Sequence, residues 1–421
     1  MPNLACLILL LTSVLDNASL VFSDILCFCS DVLAFPLFAF DSLVLVSIDT
    51  LRPRKELLIL ILTSGETICP FLAIDIFLPG ITARDWLVVT SGWHTWSGRE
   101  TRGKDVGIGD FPSKFAKAKT EFVVEPGKGG LPIPKEEGVS YGLVTFRKKN
   151  GLENIGVGVI PSLKEIEDLR FKLTPEGILV TIRKSLERLN QARKVSFKVF
   201  LARGMYTEII WRFGDELAKL NNLVLMKDRI IWLTWAAYGK GVRQERDVVP
   251  ELPYLVDIGV DTLIIDDGWE KVIGQWEVDT DKFPDIIGLI DDIGKLGLRP
   301  GIWIAPFMTM KETEVFRLHP EWIIKDREGR FANVSNPQIQ PTGRLRPFTE
   351  RALGLDISNA DVREYLYGEF VRLAKIGIDV FKVDFVSIPF IGELSCKDKT
   401  SVEYYRLFFQ EVRERICVEA K

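Results

Sequence analysis

Two charges interrupt an apolar run near the C-terminus. Residues 379–386 read DVFKVDFV, and alternate residues of a strand point the same way, so Lys382 and Asp384 would share one face. A carboxylate close to an ammonium stays ionised, which suits a nucleophile. Three other short runs end in residues able to do chemistry. VDTLIIDDGWE carries Asp266 and Asp267, LRPGIWIAPF carries Trp303, and RIIWLTWAAYG carries Trp232 and Trp235. Carboxylates and an ammonium hydrogen-bond hydroxyl groups, and indole faces cover the apolar side of a pyranose ring. Each item alone has a plain structural reading, since paired Asp residues cap helices and Lys-x-Asp can be an ion pair. Their joint placement favours a sugar site.

The elements that must carry these residues alternate. The four runs above read as strands, and helical spacing separates them. A mixed stretch around Pro250 holds a short helix, and FPDIIGLIDDIGKLG is helical and stops at Gly297. LDISNADVREYLYGEFVRLAKIG is an amphipathic helix, with Ser358 and Asp361 as its capping box and Gly377 as its stop. A last helical pattern runs through Val402, Tyr405, Leu407, Phe408, Val412 and Ile416. Alternating strands and helices imply parallel β/α units, either a (β/α)₈ barrel or an open doubly wound sheet. The polar residues fall at strand C-terminal ends, where barrel enzymes build their sites, and no Gly-rich phosphate loop follows any strand. The fold expected is therefore α/β, a (β/α)₈ (TIM) barrel, over residues 228–421.

Residues 86–227 have a different rhythm, alternating apolar and polar positions between turn signals. SYGLVTFRKKNGLENIGVGVI reads as two strands about a hairpin at Lys149-Asn150-Gly151, and an antiparallel β-sandwich is the natural expectation. Gly138-Val139-Ser140-Tyr141-Gly142 matches G-x-S-x-G, but a nucleophile elbow needs a strand before it and a helix after it. LVTFRKK continues as a strand, so Ser140 is expected to be structural. Residues 1–85 stand apart in composition. The first 50 hold five Asp and no Lys or Arg. Runs such as VLAFPLFAF and ELLILILTS are either buried strands or part of a segment not native to the fold.

Composition narrows the partners. Lys and Arg total 54 against 58 Asp and Glu, a net charge of −4, which offers no electrostatic footprint for nucleic acid. Two histidines, far apart, and no Cys-x-x-Cys argue against a zinc site, so neither metal nor cofactor is expected. No uncharged run reaches the roughly 18 residues of a membrane helix. Four of six cysteines lie within the first 69 residues, leaving Cys396 and Cys417 as expected free thiols of a reducing, cytoplasmic setting. Homo-oligomerisation is left open.

IIDDGWE, GQWEVDTDKFPD, GIWIAPF, HPEWIIK, LDISNADVREYL and FKVDF occur in this order over roughly residues 228–420. In this the chain resembles the α-galactosidases of glycoside hydrolase family 36, a retaining family, with weaker support from GWHTWSG near residue 96. The resemblance implies a β-sandwich, a (β/α)₈ barrel and a small C-terminal β domain, acting on α-galactoside oligosaccharides. It implies Asp384 as the nucleophile of a covalent galactosyl-enzyme, with Lys382 binding sugar hydroxyls beside it. Asp266 and Asp267 would grip O4 and O6 of galactose, and Trp235, Trp303 and Trp96 would wall the pocket. The family's acid/base follows the sixth barrel strand, whereas 37 residues follow Asp384 here. The expectation is the first half of a barrel without its acid/base. Galactosyl transfer, hydrolysis of an N-acetylgalactosaminide and an inactive sugar-binding remnant are the alternative readings.

Overall fold

Alternating apolar positions make the N-terminal strands, and their inward side chains meet in one core. The computed structural model describes residues 6–9, 57–64, 71–90, 131–132, 138–149, 151–185, 187, 195–221, 229–326, 329–332, 352–386, 388–390 and 392–420. The chain divides into two compact units, Met1–Asp105 with Ala118–Val224, and Val106–Lys117 with Leu225–Lys421.

In the first unit, β1 (Cys6–Leu9), β3 (Phe71–Pro79), β10 (Gly177–Ser185), β9 (Ile166–Leu173) and β6 (Gly138–Ser140) form one sheet in that order. The other sheet runs β2 (Leu57–Ser64), β11 (Val195–Gly204), β8 (Asn154–Ile160), β7 (Leu143–Lys148), β4 (Trp86–Thr90) and β5 (Leu131–Pro132). Ile74, Ile76, Leu169, Phe171, Val180 and Ile182 of one sheet share a core cluster with Val144, Phe146, Val157, Val159 and Val199 of the other. Helix α1 (Tyr206–Asn221) seats Ile209 against Leu143, Ile160 and Phe200.

The hairpin forms as its sequence suggests, with Arg147 opposite Asn154; Asn150 lies outside the described residues. β2 and β3 belong to the segment set apart by composition, yet β2 pairs antiparallel with β11 and β3 with β10. Residues 57–64 and 71–79 are thus sheet strands, which is one of the two readings left open for runs of this segment. Ser140 is the last residue of β6, with β7 starting three residues later, and its buried hydroxyl donates to the Leu143 carbonyl at 2.6 Å. It has the structural role expected of it.

The second unit is built on a four-stranded parallel sheet in sequential order: β12 (Ile231–Leu233), β13 (Thr262–Ile265), β14 (Arg299–Ile304) and β17 (Val380–Val383). β15 (Met308–Met310) and β16 (Ala352–Gly354) pair separately. Every residue of β13 is buried, as its unbroken Thr-Leu-Ile-Ile run requires of a strand covered on both faces. RIIWLTWAAYG does not continue as a strand. It turns at Thr234 into α2 (Trp235–Tyr238), so β12 has three residues.

The helices follow as the 3.6-residue period demands. They are α3 (Leu252–Asp257), α4 (Ile286–Lys295), α5 (Glu314–Leu318), α6 (Ala360–Lys375) and α7 (Ser401–Glu419). Ile286, Leu289, Ile290 and Ile293 of α4, Val362, Leu366, Phe370 and Leu373 of α6, and Tyr404, Phe408 and Val412 of α7 enter the same core as the strands. Gly297 and Gly377 end α4 and α6 at φ +80° and +102°, a conformation costly for any residue with a Cβ. The cap of α6 differs from expectation. Asn359, not Ser358, accepts from the Asp361 amide, because the Ser358 amide and hydroxyl are both bound to Asp356. A true capping box opens α7 instead, between Thr400 and Glu403; losing such a cap costs about 1 kcal/mol.

Candidate active site

The candidate charges cluster at strand ends: Asp266 and Asp267 follow β13, Lys382 is the next-to-last residue of β17, and Asp384 follows it. Thr234 follows β12, and its buried hydroxyl accepts from the Asp266 amide at 2.9 Å, fixing the backbone that leaves β13. The Asp267 amide then donates to Asp266 Oδ1 at 2.9 Å. The other oxygen of Asp266 meets Lys382 Nζ at 2.6 Å, a pair spanning 116 residues. Lys382 reaches it because β14 and β17 pair in parallel with Trp303 opposite Lys382.

Asp384 continues that register. Its amide donates to the Ile304 carbonyl at 2.9 Å, one step past the end of β17. Both of its carboxylate oxygens are held. The Trp303 indole N–H donates to Oδ2 at 3.1 Å and the Phe385 amide to Oδ1 at 2.8 Å. Phe385 adopts φ +51°, unusual for a residue with a Cβ. Among the described residues no ammonium pairs with Asp384. The expected partnership of Lys382 with the nucleophile candidate is thus corrected: its ammonium pairs with Asp266, and Asp384 is held by two N–H donors.

Three indoles line up behind Asp384. Trp269 and Trp276 have centroids 6.4 Å apart, and Trp276 and Trp303 are 6.0 Å apart. The Trp269 N–H donates to the Trp303 carbonyl at 2.9 Å. Trp303 is 1% exposed, so its edge rather than its face addresses the carboxylate. Trp235 opens α2 at the end of β12 and is half-buried. It shares the strand ends with the other residues but, among the described residues, makes no ring or hydrogen-bond contact with them. Trp232 instead packs on Tyr238, centroids 6.4 Å apart. Trp96 lies outside the described residues.

Two groups were not singled out from sequence. Lys240 Nζ lies 3.1 Å from Asp267 Oδ1. Glu270 is buried, accepts from the Gly268 amide at 3.1 Å and hydrogen-bonds Asp267. Burial first, and then the charge of Asp267, push the Glu270 carboxyl up to about 8, so it is neutral at pH 7 and is the proton donor of that bond. Glu270 stands in the quoted IIDDGWE motif, and Lys240 lies between two glycines just after the first strand; these are the signals that could have marked them. Among the described residues no cluster of His, Cys, Asp and Glu is arranged to hold a metal ion, and no helix is long and apolar enough to cross a membrane.

The arrangement offers one carboxylate held by N–H donors and two neighbouring carboxylates each matched by an ammonium. Comparison with known proteins agrees with that chemistry. Residues 230–388 match the melibiase family model. An α-galactosidase of Escherichia coli is 32% identical over 175 residues, covering 38% of this chain and 22% of the relative. Alpha-galactosidase AgaA of Geobacillus stearothermophilus is 26% identical over 201 residues, covering 46% and 23%. The matched segment thus spans under a quarter of either relative's length. In fold, the chain is similar to the α-galactosidase TtGalA of Thermus thermophilus, with TM-score 0.57 and 20% identity over 86% of this chain and 67% of that one. The stretch 230–388, which contains every one of the interacting site residues just described, is the part of the chain that matches the melibiase family model.

Proposed function

We propose that this chain carries the nucleophile side of a retaining α-galactoside hydrolase. The observation that carries the reading is the contrast among three carboxylates at neighbouring strand ends. Asp266 and Asp267 are neutralised by Lys382 and Lys240, whereas Asp384 is held by the Trp303 and Phe385 N–H groups with no ammonium partner among the described residues. A carboxylate oriented by hydrogen bonds but not neutralised by a cation is suited to attack an anomeric carbon. In this reading an Asp384 oxygen forms a bond to C1 as the bond to the leaving oxygen breaks. The leaving oxygen takes a proton from a general acid, and water later cleaves the glycosyl ester. The second carboxyl of such a pair stands about 5–5.5 Å from the nucleophile, and the proposal assigns that role to no residue of this chain.

Asp266 and Asp267 are the acceptors for sugar hydroxyls, O4 and O6 of galactose, with Lys382 as a donor beside them. Trp303 and Trp235 belong to the wall of the pocket. The four parallel strands add in sequence order without a reversal, as in the first half of a (β/α)₈ barrel and unlike a doubly wound sheet. The two sheets of the first unit, sharing one core, are read as a β-sandwich. The TtGalA structure in complex with p-nitrophenyl α-D-galactopyranoside supports an α-galactoside as the substrate class.

The test needs no general acid. A 2-deoxy-2-fluoro-α-galactoside with a dinitrophenolate leaving group should leave a mass adduct on the peptide containing Asp384, and none on the Asp384→Asn variant. The gluco epimer, which differs only at C4, should react far less. Absence of the adduct, or equal labelling by both epimers, would overturn the reading.

A further inference from the structure

Asp266 and Asp267 are adjacent, yet their cations come from different places. Lys382 reaches Asp266 from within the sheet. Lys240 reaches Asp267 from the turn Gly239–Gly241 that follows α2. That turn is pressed onto the end of β13 through its backbone. Gly268, directly after the carboxylate pair, has φ +122°, and a Cβ there would stand 2.8 Å from the Lys240 carbonyl oxygen and 2.9 Å from its Cα. Real side chains do not come so close, so a glycine at 268 is what lets the turn approach.

The Lys240 side chain is 43% exposed, while that of Asp267 is 9% exposed. The ammonium therefore arrives from the solvent side onto a nearly buried carboxylate. The groups around Asp267 are few. Glu270 bonds it as a neutral acid, Asp266 precedes it already paired with Lys382, and Lys282 is spent on the Gly268 carbonyl at 3.0 Å and on Asp279 at 3.2 Å. Neutral Glu270 orients Asp267 but brings no charge, so Lys240 is the cation that balances it.

Resting on the galactoside reading above, we propose that Lys240 is a positioning residue for sugar binding. From the rim of the pocket it fixes the carboxylate of Asp267 in the orientation that accepts a galactose hydroxyl. Asp267 has two oxygens and several lone pairs, so it holds the ammonium and a sugar hydroxyl at once. Without the ammonium the side chain can rotate, and the sugar must pay for ordering it.

The experiment is isothermal titration calorimetry of D-galactose with the intact chain and its Lys240→Met and Lys240→Arg variants. The Met variant should bind about five- to tenfold more weakly, the scale of one partly exposed ion pair. The Arg variant should stay within about twofold, because a guanidinium restores the charge and the donors. Urea unfolding of each variant checks the fold: a single cooperative transition shows a folded protein, with a lowered midpoint expected for the Met variant because nearly buried Asp267 loses its cation, and little change for the Arg variant. Equal affinity of Met variant and wild type would overturn the proposal, and so would equal weakening by Met and Arg. Failure of the wild-type chain to bind D-galactose would instead overturn the galactoside reading itself.

Discussion

Lys382→Met is the sharpest perturbation the geometry allows, because the methionine keeps most of the stem and removes only the charge. Asp266 is 1% exposed and would lose its partner at 2.6 Å, keeping the Asp267 amide at 2.9 Å. Stranding one member of a buried ion pair costs ~3–5 kcal/mol. Two features set the value near the bottom of that range. The Lys382 side chain is itself 31% exposed, and one hydrogen bond to Asp266 survives. The expected loss is about 3 kcal/mol. With a urea slope of roughly 3 kcal/mol per molar for a unit of this size, the midpoint falls by about 1 M. Adding Asp266→Asn removes the stranded charge and should recover most of the loss, so the two substitutions are strongly non-additive. Urea unfolding of the two single variants and the double variant, followed by far-UV circular dichroism, measures this. A loss below about 1 kcal/mol for Lys382→Met, or a double variant as weak as the sum of the singles, would refute the pairing as the structural tie between β13 and β17.

Glu270 makes stability depend on pH. Its folded carboxyl is pushed up to about 8 from the ordinary 4.5, so between those values the folded state binds more protons than the unfolded state, and stability falls as pH rises. The expected slope is at most ~1.4 kcal/mol per pH unit. Urea midpoints taken from pH 5 to pH 8 should decline for the wild type and flatten in Glu270→Gln, and parallel curves would sink this assignment. Ser140→Ala, by contrast, should cost about 1 kcal/mol for the lost bond to the Leu143 carbonyl and leave adduct formation at Asp384 unchanged; loss of labelling in a folded Ser140→Ala protein would reopen the G-x-S-x-G motif as chemistry.

The strand ends were legible because parallel strands buried on both faces must be apolar, so a charge inside such a run marks where burial ends. That logic fits Asp266 and Asp267, which follow the fully buried β13; Lys382 lies within β17, an edge strand of the sheet that is only partly buried, just before Asp384. The same logic did not tell which carboxylate Lys382 would choose. The choice depends on the register of β14 against β17, and the oxygens of Asp384 are met instead by the Trp303 and Phe385 N–H groups. Lys240 was illegible for a related reason: its contact with Asp267 exists only because Gly268 lets two backbones approach closely. Glu270 stood in plain view, but a glutamate reads as a surface residue until the packing around it is known. At α6 the local pattern misled, since Ser358 is claimed by Asp356, leaving Asn359 to cap the helix. β2 and β3 were ambiguous because a short apolar run looks the same whether or not a partner strand waits for it, and only pairing with β11 and β10 resolves it.

The row of indoles behind Asp384 has an optical consequence. Trp269, Trp276 and Trp303 are all fully buried and spaced 6.0–6.4 Å apart, close enough for excitation absorbed by one to migrate among all three. Trp303 alone of the three points its N–H at the Asp384 carboxylate. The electric field of that carboxylate acts directly on the pyrrole edge of a chromophore, and esterifying Asp384 would extinguish the field without moving a helix. The emission of the row is therefore sensitive to the charge on Asp384, a signal that stands on top of the emission of the chain's seven other tryptophans.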